Sequence, residues 1–137
     1  MNKHELKNFI SAFYQAWKDR DEQKAVQFYD KNVKAYVDYQ PVTLQDMMDR
    51  LEFSKQKFSS AEYIVQDMII DEPEGKIAIR MDQKYIAKDS PEPIFCKSIT
   101  LYKIVNKKIT EIWMSFYPNV NYLNNDVTNK ELFVTNS

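Results

Sequence analysis

The sequence predicts a single α+β domain in which N-terminal helices pack onto a strongly bent antiparallel sheet. Three observations predict it. Apolar residues near the start recur at helical spacing, at Leu6, Phe9, Ile10, Phe13, Tyr14 and Trp17. From Ser60 onward the spacing shifts to two, the period of a strand with one dry face and one wet face. The chain has 137 residues, enough for one core and too few for two ordinary domains.

The elements follow in order. Lys3, Lys7, Lys18 and Asp19 lie off the first apolar stripe, and this helix is expected to stop near Asp19-Arg20. Asp21 can cap a short second helix whose apolar side is Ala25, Val26 and Tyr29. A short strand is expected over Val33–Tyr39, ended by Pro41. Thr43 and Asp46 have the spacing of a capping box for a third helix, which buries Leu44, Met47, Met48, Leu51 and Phe58. Tyr63–Ile70 is the next strand and 71–75 a turn. In Lys76–Ala87 the residues Ile77, Ile79, Met81, Gln83 and Tyr85 share one face, and Ala78, Arg80, Asp82 and Lys84 the other. Ile94–Val105 and Lys108–Tyr117 form a hairpin around Asn106-Lys107.

Composition removes several functions. Gly75 is the only glycine, which excludes phosphate cradles built from clustered glycines. The net charge is −1 and no basic block stands out, so no nucleic-acid partner is expected. Cys96 is the only cysteine, so an intramolecular disulfide is impossible. A zinc site would have to rest on His4, Cys96 and carboxylates, and neither a metal nor a cofactor is expected. The start, MNKHELKNF, is charged where a signal peptide is apolar, and no apolar run nears the roughly 20 residues that span a bilayer. A cytoplasmic protein with no membrane partner is the expectation.

Three helices, a short strand after the second and then a meander of long strands is a distinctive order. More distinctive are the first-helix stripe, the Asp-x-x-x-Ala-Val-x-Phe-Tyr run at 21–29, and the hairpin ending Lys108-Ile109-Thr110-Glu111-Ile112-Trp113. Together they resemble the nuclear transport factor 2-like superfamily, and within it the SnoaL-like proteins, over about residues 3–117. The domain is accordingly set at 1–117, followed by an Asn-rich tail, 118–137, whose apolar cluster is Leu132-Phe133-Val134. The resemblance implies a cone in which the curved sheet wraps the first helix and a pocket opens on the concave face. It also implies pairing of two copies through the outer sheet face. Relatives include ketosteroid isomerase, polyketide cyclases, epoxide hydrolases, dehydratases and non-catalytic binding domains, so fold alone selects no function.

Isomerase chemistry needs a carboxylate base and acidic hydrogen-bond donors for the enolate. By the resemblance, the isomerase's tyrosine falls at Phe13, one step from Tyr14, and its base at Val37, one step from Asp38. Its protonated aspartate falls at Thr100, whose hydroxyl can hydrogen-bond but is no acid. Strand neighbours point to opposite faces, so the offset at Val37 normally removes Asp38 from a site. The candidates for catalysis are therefore Tyr14 and Tyr102 as donors to an oxyanion and Asp38 as base, with a surface carboxylate as the other reading of Asp38. SnoaL-like cyclases often carry a histidine or an acid beside the last-strand tryptophan, whereas Trp113 is flanked by Ile112 and Met114. His4 reads as a surface residue near the chain start, and Cys96 as inert core packing. Arg80, Asp82 and Lys84 read as a solvated strand face.

An apolar ligand site can be drawn from Phe13, Trp17, Tyr39, Met47 and Leu51 on one side. Tyr85, Tyr102, Ile112, Met114 and Phe116 supply the other, with Gln83 and Thr100 as polar groups on otherwise apolar faces. A filled core uses the same residue types. If Ile112 and Met114 face inward, Trp113 faces outward, where it can join Ile99 and Leu101 in a homodimer interface. Two functions thus stay open. One is binding of a small hydrophobic molecule, with or without an isomerase, cyclase or dehydratase step. The other is a non-catalytic dimerisation or protein-interaction module.

Overall fold

Asn2 starts the first helix. Its side chain accepts the Glu5 amide proton at 2.8 Å while Glu5 Oε1 accepts from the Asn2 amide at 3.1 Å, a reciprocal cap. In the computed structural model, which describes residues 1–117, the helix α1 runs Lys3–Lys18. Asp21 caps α2, Glu22–Val26, and Thr43 with Asp46 caps α3, Leu44–Lys57. The strands are β1 (Tyr29–Val37), β2 (Gln40–Val42), β3 (Phe58–Asp71), β4 (Lys76–Ala87), β5 (Pro93–Val105) and β6 (Lys108–Tyr117). The segment 118–137, with Leu132-Phe133-Val134, lies outside the described residues.

The six strands form one sheet in the order β2-β1-β6-β5-β4-β3. All neighbours are antiparallel except β1 and β6, which run parallel with Ala35 opposite Ile112 and Val37 opposite Met114. The sheet is thus mixed, a refinement of the wholly antiparallel expectation. Bulges between Val65 and Asp67 and between Lys103 and Ile104 break the register and bend the sheet. Its concave face receives α1 and α3.

Three boundaries differ from the sequence reading. β1 runs Tyr29–Val37 rather than Val33–Tyr39, so Tyr29 opens a strand instead of joining the apolar side of α2. Pro41 does not simply end the strand but sits in β2 opposite Tyr36, at the sheet edge, where its missing N–H goes unneeded. Phe58 is no part of α3's buried stripe; it caps the helix in extended conformation and opens β3. Arg20, in left-handed conformation (φ 52°), ties this corner down. Its guanidinium donates to the carbonyls of Ser54, Phe58 and Ser59.

The core has two parts. Leu6, Ile10 and Phe13 of α1 and Met47 and Leu51 of α3 meet Ile77, Ile79, Ile109 and Ile112 of the sheet. Phe53, Phe58, Ala61, Tyr85, Ile94 and Cys96 make a smaller cluster at the far end of β3, β4 and β5. Among the described residues no helix is long and apolar enough to cross a membrane.

Candidate functional site

The two core parts do not meet completely. Between α1, α3 and the concave face a slot of about 70 Å³ remains. That is several times the ~10–15 Å³ a water needs, and below the ~300 Å³ of sites for drug-sized ligands. It suits a small or flat molecule. Phe13, Tyr14 and Trp17 reach it from α1, and Met47 and Arg50 from α3. Met81, Gln83 and Tyr85 come from β4, Thr100 and Tyr102 from β5, and Ile112, Met114 and Phe116 from β6. Tyr29 and Tyr63 complete the wall.

The tyrosines are ordered by hydrogen bonds. The hydroxyls of Tyr14 and Tyr102 lie 2.6 Å apart, bridging helix and sheet. Trp17 donates its indole N–H to the Tyr29 hydroxyl at 3.0 Å. At the other end Tyr85 donates to Gln83 Oε1, which also accepts from the Cys96 thiol at 3.5 Å. Gln83 Nε2 donates to Ser98 Oγ at 3.1 Å. Gln83 is therefore a satisfied buried group rather than an open one, as its cost of burial requires.

Burial governs ionisation here. It pushes Tyr14 above the usual phenol range, with the bond to Tyr102 acting against it. Tyr63 rises to about 12, again through burial, with the hydrogen bond to Tyr85 and the charge of Arg50 opposing. Tyr85 is raised as well, first by burial and then by the neighbouring Tyr63. At neutral pH these hydroxyls are intact proton donors. Cys96 is likewise raised by burial to about 12, which keeps it an unreactive thiol.

Two residues drawn into the pocket from sequence lie elsewhere. Tyr39 is 80% exposed. It follows Asp38 in a turn where both residues have positive φ, 49° and 69°, which carries the chain away from the strand's alternation. Asp38 is not in the slot wall; its amide N–H donates at 2.8 Å to the carbonyl of Met114 in β6. Leu51 is fully buried in the core, one helical step beyond the slot. Conversely, Tyr29, Arg50, Tyr63 and Met81 line the slot without having been singled out. A signal existed for Arg50: it stands three residues after Met47 and next to Leu51, within the buried stripe of α3.

The convex face carries Trp113, stacked on Tyr36 with ring centres 4.0 Å apart and 13° between planes. Its indole N–H donates to Glu111 Oε1 at 2.7 Å. Leu101, Ala78 and Ile69 continue this row across β5, β4 and β3. Ile99, beside it, is 61% exposed and Leu101 39%.

No protein-family profile matches the chain, and no curated protein matches its sequence. Solved structures do match in shape. PrhC from Penicillium brasilianum superposes with a TM-score of 0.77 at 16% identity, over 96% of this chain and 96% of that one. A SnoaL-like polyketide cyclase from Agrobacterium tumefaciens gives 0.66 at 16% identity, over 81% and 90%. A protein with a ketosteroid isomerase-like fold from Catenulispora acidiphila, in complex with trimethylamine, gives 0.64 at 11%, over 77% and 82%. Strand order, helix placement and these superpositions establish that the chain has the ketosteroid isomerase-like, nuclear transport factor 2-like fold, which it shares with SnoaL-like polyketide cyclases.

Proposed function

We propose that this chain binds a small hydrophobic molecule in the slot, with a polar oxygen of that molecule held at the Tyr14–Tyr102 pair. The observation that carries the reading is the slot itself. It has aromatic, Met and Ile walls, and the hydrogen-bonded Tyr14–Tyr102 hydroxyl pair belongs to its lining. A protein of the same fold was obtained with trimethylamine bound, which supports a small-molecule role for this architecture. Any reaction in the slot would be of the isomerase, cyclase or dehydratase type. Tyr14 and Tyr102 would stabilise a developing oxyanion as neutral donors. Asp38, the candidate base, is not among the residues that line the slot, so binding is the part of the reading this proposal rests on.

Native followed by denaturing mass spectrometry of the purified protein tests this. A compound that stays bound in the native spectrum and is released on denaturation is the expected result. A clean apo mass, together with no binding from a panel of flat apolar molecules, would end the reading. The second reading is an interface between two copies through Ile99, Leu101 and Trp113. It is favoured by the apolar row on the convex face.

A further inference from the structure

The slot has a charge pattern as well as a shape. Among its described lining residues, Arg50 is the sole charged side chain, and no aspartate or glutamate joins it. Arg50 is 7% exposed, and its guanidinium carbon lies 5.0 Å from the Phe53 ring centre. A guanidinium stays charged at any physiological pH. The other polar liners carry hydroxyls that are already bonded in part: Tyr14 to Tyr102, Tyr29 to Trp17, and Tyr85 to Gln83, whose amide oxygen also accepts from Cys96. What sets the electrostatics of the wall is the fixed positive charge of Arg50.

We infer that the slot selects an anionic guest, a compact ring system bearing a carboxylate that pairs with Arg50. This rests on the small-molecule reading above and names its ligand class. A carboxylate is planar and matches the guanidinium fork, and an apolar setting strengthens such a pair relative to water. The inference needs no idle guanidinium. Five N–H donors let Arg50 keep its contact with Phe53 and its other contacts while taking an anion. An ammonium-bearing guest, by contrast, would meet a like charge with no carboxylate in the described wall to balance it.

The test is a titration of the full ¹⁵N-labelled chain with benzoate, benzamide and benzylamine, three probes of nearly equal shape and different charge. Amide shifts at Tyr63, Tyr85 and Tyr102 locate the binding. The expected order is benzoate, then benzamide by about tenfold, the scale of a charge-assisted hydrogen bond, with benzylamine weakest. Arg50→Met should erase the gap between benzoate and benzamide, and Arg50→Lys should keep part of it. If Arg50→Met does not fold, the wild-type order and Arg50→Lys still decide. Benzamide or benzylamine binding as well as benzoate would overturn the charge inference and leave the slot reading intact. Absence of slot shifts with all three probes would overturn both.

Discussion

Tyr14 and Tyr102 form a pair whose members are worth more together than apart. Removing one hydroxyl leaves the other facing a phenyl ring, while removing both leaves matched apolar surfaces. Tyr14→Phe and Tyr102→Phe should each cost about 1 kcal/mol in urea denaturation, and the double variant little more than one of them. Strict additivity would mean the hydroxyls are not coupled. The enclosed groups also predict a pH dependence. Burial raises Tyr63 from 10.0 to about 12 and Cys96 from 9.0 to about 12. The folded state therefore holds these protons more tightly than the unfolded chain does. That contribution is whole below about pH 9 and is lost as pH rises toward 12. The urea midpoint should fall across that interval, with tyrosinate absorbance rising in the same transition; an unchanged midpoint would contradict enclosure. At this scale the sequence was legible where a residue type broke a pattern. Gln83 and Thr100 stood out on apolar faces, and both are buried in the slot wall. It was illegible at Asp38 and Tyr39, because two successive left-handed residues erase the alternation that placed them.

At the scale of elements, Gly75 joins β3 to β4 and does more than turn the chain. Its φ is +64°, its carbonyl accepts from the Ile104 amide at 2.8 Å, and a Cβ there would sit 2.5 Å from the Ile104 carbonyl oxygen. Ile104 follows the bulge in β5, so the turn docks where that strand's ladder is broken. Gly75→Ala should destabilise the protein by about 1–3 kcal/mol, the cost of a forced backbone. A thermal melt matching wild type would mean the turn can shift freely. Helix caps and strand periods are local, and α1, the starts of α2 and α3, and all of β4 could be read nearly to the residue. The parallel pairing of β1 with β6 could not, because it joins segments from opposite ends of the domain and leaves no periodic trace in either.

For the whole molecule, the order of elements carried the fold, although no curated sequence matches the chain. A bent sheet around a helix constrains period and order far more than identity, and superposition holds at 16% identity. The slot depends on side chains from α1, α3 and five strands; most of them could be drawn from the sequence, whereas Tyr29, Arg50, Tyr63 and Met81 could not. The convex face makes a separate prediction. If two copies associate there, the wild type should sediment as a dimer, and both Trp113→Ala and Ile99→Lys should sediment as monomers. Ile99 is 61% exposed, so a lysine there leaves the core untouched. A dimer that survives both changes must use another surface.

The chain's two tryptophans divide between the two sides of the sheet. Trp17 stands in the slot wall with its N–H on Tyr29, and Trp113 lies on the convex face against Tyr36. The protein therefore carries one natural fluorophore for each of its two candidate roles. With Trp113→Phe, emission reports only on what enters the slot, and ought to respond to guests but not to dilution. With Trp17→Phe, it reports only on the outer face, and ought to follow protein concentration but ignore guests. A single instrument and two variants thus separate occupancy from association.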